Sequence, residues 1–216
     1  VNSLLDFSKI EAGRLEAKFH ATNLADFTCE LASVFRSIME KAGINYTIDC
    51  KPLSQPVYID HEMWEKIVYN LLSNALKFTF QGNITIALTE EKETAVLTVT
   101  DTGEGIAESE MPNLFKRFYR VQGTKSRTHE GSGIGLAFIH ELVKIHGGSI
   151  EVKSTLKKGS TFAVRIPVGS YHLPKEKIIS EDVLLTATQS NVFLDESSQW
   201  EENVKGQITH TLAQAD

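Results

Sequence analysis

The chain has 216 residues, 41% of them hydrophobic and 23% charged, and its formal net charge is −6. This composition is ordinary for a globular domain, and no apolar run reaches the roughly 18 residues that a membrane-spanning helix needs. Three lysines and eight acidic residues follow Pro167, so most of the negative charge belongs to the tail, and the near-neutral remainder predicts no nucleic-acid partner.

The first helix, predicted over residues 1–17, opens on VNSLLDFSKIEAG, which carries neither an initiator Met nor a secretory signal. We therefore expect a fragment of a longer protein. A strand is predicted within LEAKFHATNL, followed by an amphipathic helix over 23–42 that ends at Gly43. The cysteines, Cys29 and Cys50, lack metal-ligand spacing and are expected to be reduced thiols.

The middle of the chain alternates between strand and helix patterns. INYTIDC alternates like a strand, and Asp60 is a suitable N-cap for a long helix over about 61–79. NITIALTE and AVLTVTD then predict two strands joined by the charged turn EKET. Residues 101–132 are rich in glycine and polar residues, and we expect only a short helix there, around MPNLFKRFY.

The last predicted elements are a helix over about 133–146, ending at Gly147-Gly148, and a hairpin of SIEVKST and STFAVRIP. After Pro167 the periodicity fades, and the tail reads as a linker with one short helix around SSQWEENV. This order of elements differs from strict βαβ alternation. It predicts an α/β fold, a two-layer sandwich in which about three helices cover one face of a mixed sheet.

The helix at 61–79 carries the stretch NLLSNALKF, in which three polar residues share one face. At about 100° per residue, Asn74 and Lys77 fall within roughly 40° of Asn70. The apolar residues of this stretch fall on the opposite face, which can pack on a sheet. Amide oxygens suit a Mg²⁺ ion that also holds phosphates, and an ammonium group can reach a phosphate. Alone, the pattern more often indicates a solvated helix face than a binding site.

Two glycine-rich loops give that helix a context. DTGEGI, residues 101–106, follows a strand directly, so Asp101 stands at the strand end, and Gly103 and Gly105 let the backbone turn tightly. GSGIGLAF, residues 131–138, opens the next helix, and a helix N-terminus with free backbone N–H groups can bind phosphate. Either loop alone is a weak signal.

The ordered combination of NLLSNALKF, DTGEGI, LFKRFYR, GSGIGLA and GSTF resembles the catalytic and ATP-binding domain of sensor histidine kinases, of the hybrid type. This domain belongs to the ATPase superfamily of gyrase, the heat-shock chaperone and mismatch repair, with its Bergerat-type fold. The resemblance covers residues 18–168. Residues 1–17 resemble the end of the preceding dimerisation and phosphoacceptor domain, and 169–216 read as an acidic linker that resembles, more loosely, a connector to a receiver domain.

The resemblance implies roles for particular residues. Asn74, with Asn70 nearby, would ligate Mg²⁺, and Lys77 would contact phosphate. Asp101 would bond the adenine amino group, and Ser160 or Thr161 would assist it, with the choice open. The remaining expected nucleotide contacts are Gly103, Gly105, Ile106, Gly131, Ser132, Gly133, Ile134, Gly135 and Leu136.

The segment after DTGEGI is expected to stabilise the charge that develops on the transferring phosphoryl group. By resemblance, Phe115 and Phe118 belong to the phenylalanine-containing box, and Arg120 with Arg117 would act on the transferring phosphoryl group. Both arginines also fit a solvated surface helix. Residues 121–132 would form a mobile lid over ATP.

The phosphoacceptor histidine of the family sits in a His-Glu-Leu-Arg-Thr-Pro-like helix, and none of the seven histidines of this chain has that context. The phosphoacceptor histidine is therefore expected upstream, on the dimerisation domain of a homodimeric parent. The resemblance implies that this chain binds ATP with Mg²⁺ and phosphorylates that histidine. The chain itself is expected to be monomeric and cytoplasmic. A receiver domain is the expected later partner. His146, before Gly147-Gly148, is interpreted as a helix C-terminal residue that suits the helix dipole.

Two other functions remain open at this point. One is an ATP-hydrolysing clamp, but those relatives carry Glu at the position of Asn70, and an amide cannot act as a base toward water. The other is a nucleotide-binding module without catalysis, against which the complete set of asparagines, Asp101 and glycines argues.

Overall fold

The computed structural model describes residues 14–121 and 133–179, together with Ser8 and Arg127. The predictions for most of the first 13 residues, for most of the lid and for the tail beyond residue 179 lie outside the described residues. Within them no helix is long and apolar enough to cross a membrane.

In the part of the chain that the structure describes, seven strands form two sheets. The strands are β1 (His20–Thr22), β2 (Ile44–Cys50), β3 (Val57–Ile59), β4 (Gly82–Glu91), β5 (Thr94–Asp101), β6 (Ser149–Thr155) and β7 (Gly159–Pro167). The main sheet has the order β2-β4-β5-β7-β6, in which β2 and β4 are parallel and the other neighbours antiparallel. β1 and β3 form a separate antiparallel pair.

Within residues 14–121 and 133–179, four α-helices accompany the strands: α1 (Leu24–Ser33), α2 (Arg36–Lys41), α3 (His61–Phe78) and α4 (Gly135–Ile145). Two short 3₁₀ helices cover Glu108–Asn113 and Lys175–Lys177. The helices pack on one face of the mixed sheet, and the predicted fold class is therefore confirmed. Asp60 caps α3 as predicted, since the Met63 N–H donates to Asp60 Oδ1 over 3.0 Å.

The core lies between the helices and alternate residues of the strands. In β4 these are Ile84, Ile86 and Leu88, each with no exposed surface, while the intervening residues face the opposite side. Trp64 of α3 is also fully buried, and its indole N–H donates to the Thr28 hydroxyl of α1 over 3.0 Å. Burial of such side chains stabilises the fold by roughly 2 kcal/mol each.

The predicted helix over 23–42 is wrong as a single element, because it breaks between α1 and α2. The Ser33 hydroxyl donates back to the Cys29 carbonyl over 2.7 Å, and the Phe35 N–H donates to Ala32, three residues back, over 3.1 Å. Such bonds compete with the regular helix. The break lets Phe35 pack against Tyr69, with ring centroids 5.4 Å apart.

The short helix predicted around MPNLFKRFY is displaced. The 3₁₀ helix begins three residues earlier and ends at Asn113, with Pro112 inside it. Residues 114–118 then form turns, and Phe118 has a left-handed φ of 57° that no α-helix allows. Arg14–Ala17 are also not helical, which contradicts the end of the predicted first helix.

The described chain continues beyond Pro167 as part of the same unit. Leu173 is buried, and Ile178 forms a parallel bridge with Phe19. The Phe19 N–H donates to the Lys177 carbonyl, and the Ile179 N–H donates to the Phe19 carbonyl, each over 2.9 Å. The segment that enters the domain and the segment that leaves it therefore lie side by side.

Candidate functional site

The polar face of α3 is separated from its packing face by burial. Leu71 and Leu72 are at most 1% exposed, whereas Asn70, Asn74 and Lys77 are half-buried. The Asn74 side-chain N–H donates to Asn70 Oδ1 over 3.4 Å, so the two amides lie on one face. The Lys77 ammonium lies 5.5 Å from the centroid of the Phe78 ring.

The N-terminus of α4 lies directly against these amides. A Cβ atom built on Gly135 would stand 2.5 Å from Asn70 Oδ1, so any larger residue here would require the Asn70 side chain to shift. The structure thus brings the second glycine loop to the asparagine face, with the positive end of a helix dipole beside it. Ile134 is buried and Leu136 half-buried against the core, while Gly131 and Ser132 lie outside the described residues.

Asp101 is a buried carboxyl group at the end of β5, 7% exposed. The Gly103 N–H donates to Asp101 Oδ1 over 2.8 Å. Burial raises the pKa of Asp101 above its ordinary value, and the backbone N–H groups of Gly103 and Ser160 partly offset that shift. A carboxylate kept away from water in this way is suited to accept a hydrogen bond from an amino group that enters the site.

Ser160 and Thr161, the two candidates for assisting Asp101, lie on opposite faces of the sheet because of the register between β5 and β7. Ser160 is the direct partner of Asp101 across the ladder, and it is 7% exposed on the same face of the sheet. Thr161 points to the opposite face, where its hydroxyl lies 3.1 Å from that of Thr100. The structure therefore brings Ser160 to Asp101 and places Thr161 away from it.

The DTGEGI loop is fastened at both of its ends. At α3, the Glu104 N–H donates to the Phe78 carbonyl over 3.0 Å, and a Cβ on Gly103 would meet that same oxygen at 2.3 Å. At the other end, Gly105 has a φ of +64°, and a Cβ there would lie 2.0 Å from the Thr155 carbonyl. Both glycines are therefore required by close backbone approach, and Gly105 also by its left-handed backbone conformation.

Ser154 of β6 is a residue of this region that the sequence reasoning missed. Its hydroxyl accepts from the Ile106 N–H over 2.8 Å and donates to the Gly159 carbonyl over 2.9 Å. It also lies 2.9 Å from the Ser160 hydroxyl. Ser154 thus joins the first loop to the strand that carries Ser160. No local motif marks it, because the contact depends on pairing between distant strands.

The turn that carries Arg117 and Arg120 lies beside the glycine loop that precedes α4. A Cβ on Gly133 would lie 2.8 Å from the Phe118 carbonyl carbon, which places the 117–120 turn against that loop. Arg117 and Arg120 are exposed, and Phe118 is 68% exposed. Phe115 stacks on His140 of α4, with ring centroids 5.2 Å apart and an interplanar angle of 27°.

His146 is the C-cap of α4, as the sequence predicts, but its ring is completely buried. It has no exposed surface, its Nδ1–H donates to the Leu142 carbonyl over 2.8 Å, and its Nε2 accepts from the Asp60 N–H over 3.1 Å. Burial lowers the pKa of His146, so the ring is neutral at physiological pH. The predicted place at the helix C-terminus is therefore confirmed, but a neutral ring does not interact with the helix dipole as a cation would.

The donor set fits a magnesium ion that arrives with phosphates. Within the described ranges, no three His, Cys, Asp or Glu side chains cluster as ligands for a metal ion. The asparagine pair instead offers neutral amide oxygens beside a helix N-terminus. Mg²⁺ usually keeps several waters and takes only one or two protein ligands when phosphates complete its shell.

Comparison with protein families gives one clear match. Residues 59–170 match the family described as "Histidine kinase-, DNA gyrase B-, and HSP90-like ATPase". These residues include α3, both glycine loops and the β6–β7 hairpin, which together carry the geometry described above.

Individual relatives agree with this match. The chain is 36% identical over 184 residues to the autoinducer 2 sensor kinase/phosphatase LuxQ of Vibrio vulnificus, covering 82% of this chain and 22% of LuxQ. It is 30% identical over 192 residues to the hybrid signal transduction histidine kinase D of Dictyostelium discoideum, covering 85% of this chain and 12% of that kinase. The chain therefore spans less than a quarter of the length of these relatives.

The fold also has solved counterparts. The crystal structure of full-length ShkA in complex with AMPPNP superposes with a TM-score of 0.68 at 23% identity, covering 80% of this chain and 36% of ShkA. At 23% sequence identity, this structural similarity shows that the two chains share a fold.

Proposed function

The chain belongs to the family of histidine kinase-, DNA gyrase B- and HSP90-like ATPases, and on that premise we propose that it is the ATP- and Mg²⁺-binding catalytic domain of a sensor histidine kinase. In this function it transfers the γ-phosphoryl group of ATP to a histidine on a dimerisation domain, from which the group passes to an aspartate of a receiver domain. The relatives named as sensor and hybrid histidine kinases support this choice within the family.

The observation that carries the proposal is the amide pair against Gly135. Asn70 and Asn74 occupy the face next to the helix N-terminus, with a 3.4 Å contact between them. In the relatives that hydrolyse ATP, the position of Asn70 is a glutamate that activates water. An amide has no proton-accepting role at neutral pH, so this arrangement holds magnesium and phosphates without activating water and preserves the phosphoryl group for a protein acceptor.

Each part of the site has a separate task in this function. Asp101 accepts the adenine amino group, with Ser160 beside it on the same face. The backbone N–H groups at the start of α4 receive the phosphates, and Lys77 reaches them from the last turn of α3. Asn74, with Asn70 nearby, would hold Mg²⁺, which would supply positive charge to neutralise the phosphates. Arg117 and Arg120 stabilise the transferring group, so catalysis consists of positioning and electrostatic stabilisation.

The test combines binding with transfer. We expect the chain to bind an ATP analogue in the presence of Mg²⁺, to label a separately supplied histidine-containing dimerisation domain of the same parent with γ-phosphate, and not to label itself. Asn74→Ala should remove most of the Mg²⁺ dependence of binding, a loss of about tenfold for one charge-assisted contact.

Two outcomes would favour the alternatives. Rapid phosphate release without any acceptor domain would identify an ATP-hydrolysing clamp. Tight binding of ATP with Mg²⁺, but neither transfer nor release with the acceptor present, would identify a nucleotide-binding module without catalysis. Either result would replace the kinase function.

A further inference from the structure

The last two carbonyl groups of α3, and the two that follow the helix, accept hydrogen bonds from other parts of the chain. A helix end leaves its final carbonyls without partners inside the helix. Here the Phe78 carbonyl accepts from the Glu104 N–H over 3.0 Å, while the Lys77 carbonyl accepts from the Arg127 N–H over 2.9 Å. The Arg127 side chain takes the next two acceptors, donating to the Thr79 and Phe80 carbonyls, each over 2.9 Å.

The same guanidinium group also reaches a second helix. Arg127 Nη2 donates to the carbonyl of Ala42, the C-cap of α2, over 3.2 Å. Its Cζ atom lies 5.6 Å from the centroid of the Phe80 ring. One planar side chain therefore joins the carbonyl ends of α2 and α3, where a cation is also favoured by the helix dipoles.

These contacts meet at the part of α3 that carries Lys77. Lys77 and Phe78 are the last two residues of the helix, and the Phe78 carbonyl is the point at which the Asp101 loop is attached. Any movement of this turn changes the direction in which the Lys77 side chain leaves the helix. The loop, by contrast, keeps further bonds at Asp101 and Ser154 that do not involve Arg127.

We propose that Arg127 is a positioning residue for phosphate binding: it fixes the last turn of α3, and with it the direction of Lys77, through carbonyl groups rather than through the nucleotide. The proposal rests on the proposed function of the site. Arg127 lies in the sequence between Arg120 and the glycines at the start of α4, where a basic residue would be expected to contact phosphate directly. The proposed role is different, because it acts through backbone carbonyl groups.

A double-mutant cycle tests the coupling. We expect Arg127→Ala and Lys77→Ala each to weaken binding of ATP with Mg²⁺ by about tenfold, and the double variant to be weakened by about tenfold rather than a hundredfold, since both changes remove one interaction. Binding of adenosine, which lacks phosphates, should stay within about twofold in all three variants. Arg165→Ala is the matched control, because Arg165 contacts the exposed carboxylates of Glu91 and Glu151.

Conservative variants distinguish positioning from a direct charge contact. Arg127→Lys keeps the charge but loses the planar fork that spans the Thr79 and Phe80 carbonyls. It should therefore bind ATP with Mg²⁺ nearly as poorly as Arg127→Ala, and Arg127→Gln, which keeps one amide donor, should bind at least as well as Arg127→Lys. Wild-type affinity in Arg127→Lys would instead assign Arg127 to the phosphates.

The remaining outcomes are separable. Additive losses in the cycle, or unchanged ATP affinity in Arg127→Ala, would overturn the positioning role while leaving ATP binding intact. An equal loss of adenosine and ATP affinity would show that Arg127 only supports the fold. Failure of the wild-type chain to bind ATP with Mg²⁺ would overturn the proposed function itself.

Discussion

Ser160 lies directly opposite Asp101 across the β5–β7 ladder, on the helix-covered face of the sheet, whereas Thr161 lies on the other face against Thr100. A strand exposes successive residues to opposite faces. The pairing of the two strands therefore decides which of two adjacent hydroxyl groups stands next to the buried carboxyl group.

The first prediction compares these two hydroxyl groups. Ser160→Ala should weaken binding of an ATP analogue by about fivefold, the effect of losing one neutral hydrogen bond of about 1 kcal/mol. Thr161→Ala should stay within twofold, because its partner is Thr100 on the far face. Isothermal titration calorimetry measures both. Equal losses of affinity in the two variants would show that the face of the sheet does not decide which hydroxyl group contacts the nucleotide.

The second prediction concerns the buried charge of Asp101. Asp101→Asn should weaken nucleotide binding by at least about tenfold, since its acceptor strength falls and one amide N–H faces the ligand. In the nucleotide-free protein the same change should raise the melting temperature at neutral pH. The reason is that burial raises the pKa of Asp101, so the ionised carboxylate opposes folding above that pKa and no longer does so as the pH falls below it.

Thermal melts with and without the ATP analogue provide the measurement. The expected sign is opposite in the two conditions, with higher stability in the free variant and a smaller shift on adding ligand. Lower stability of the free variant at pH 7 would contradict the desolvation argument.

The third prediction uses the close approach of Gly135 to Asn70. Gly135→Ala should push the Asn70 side chain out of place and reduce the affinity for ATP with Mg²⁺ by more than about tenfold, since the added Cβ would stand 2.5 Å from Asn70 Oδ1. Gly43→Ala is the control. Gly43 has a φ of +69° and no atom within 4 Å of a built Cβ, so this variant should lose about 1 kcal/mol of stability with unchanged affinity. Normal magnesium-dependent binding in Gly135→Ala would argue against a ligand role for this face.

The fourth prediction is a pH dependence of stability caused by His146. Burial holds the pKa of this ring below its ordinary value of 6.5. The unfolded chain therefore binds more protons, and the contribution of His146 to stability is complete above about pH 6.5 and is lost as the pH falls below it, by at most about 1.4 kcal/mol per pH unit. Protonation would also place an N–H on Nε2 facing the Asp60 N–H.

Urea unfolding between pH 5 and pH 8 tests this effect. The wild-type slope should fall in part in His146→Gln, and part of it should remain, because burial also lowers the pKa values of His61 and His172. An unchanged slope in His146→Gln would show that the ring is protonated without cost.

Much of the architecture follows from local sequence. The strand pattern of INYTIDC, the Asp60 cap and the amphipathic stretch NLLSNALKF depend on periodicity and capping within one segment, and the structure contains each of these elements. The prediction of one helix over 23–42 was wrong for a local reason that hydrophobic periodicity does not show. The Ser33 hydroxyl bonds to the Cys29 carbonyl where the helix breaks. The apolar pattern continues across the break because both helices face the same core.

The sequence by itself determined the chemical groups of this protein: two amides and an ammonium group on one helical face, a carboxyl group at a strand end, and glycines where backbones approach closely. Only the tertiary structure decided which groups meet. Ser154 reaches Ile106, Ser160 faces Asp101, and Arg127 holds the last turn of α3. The physical reason is that these contacts join residues distant in sequence, so strand register and helix packing place them, and no local pattern specifies either.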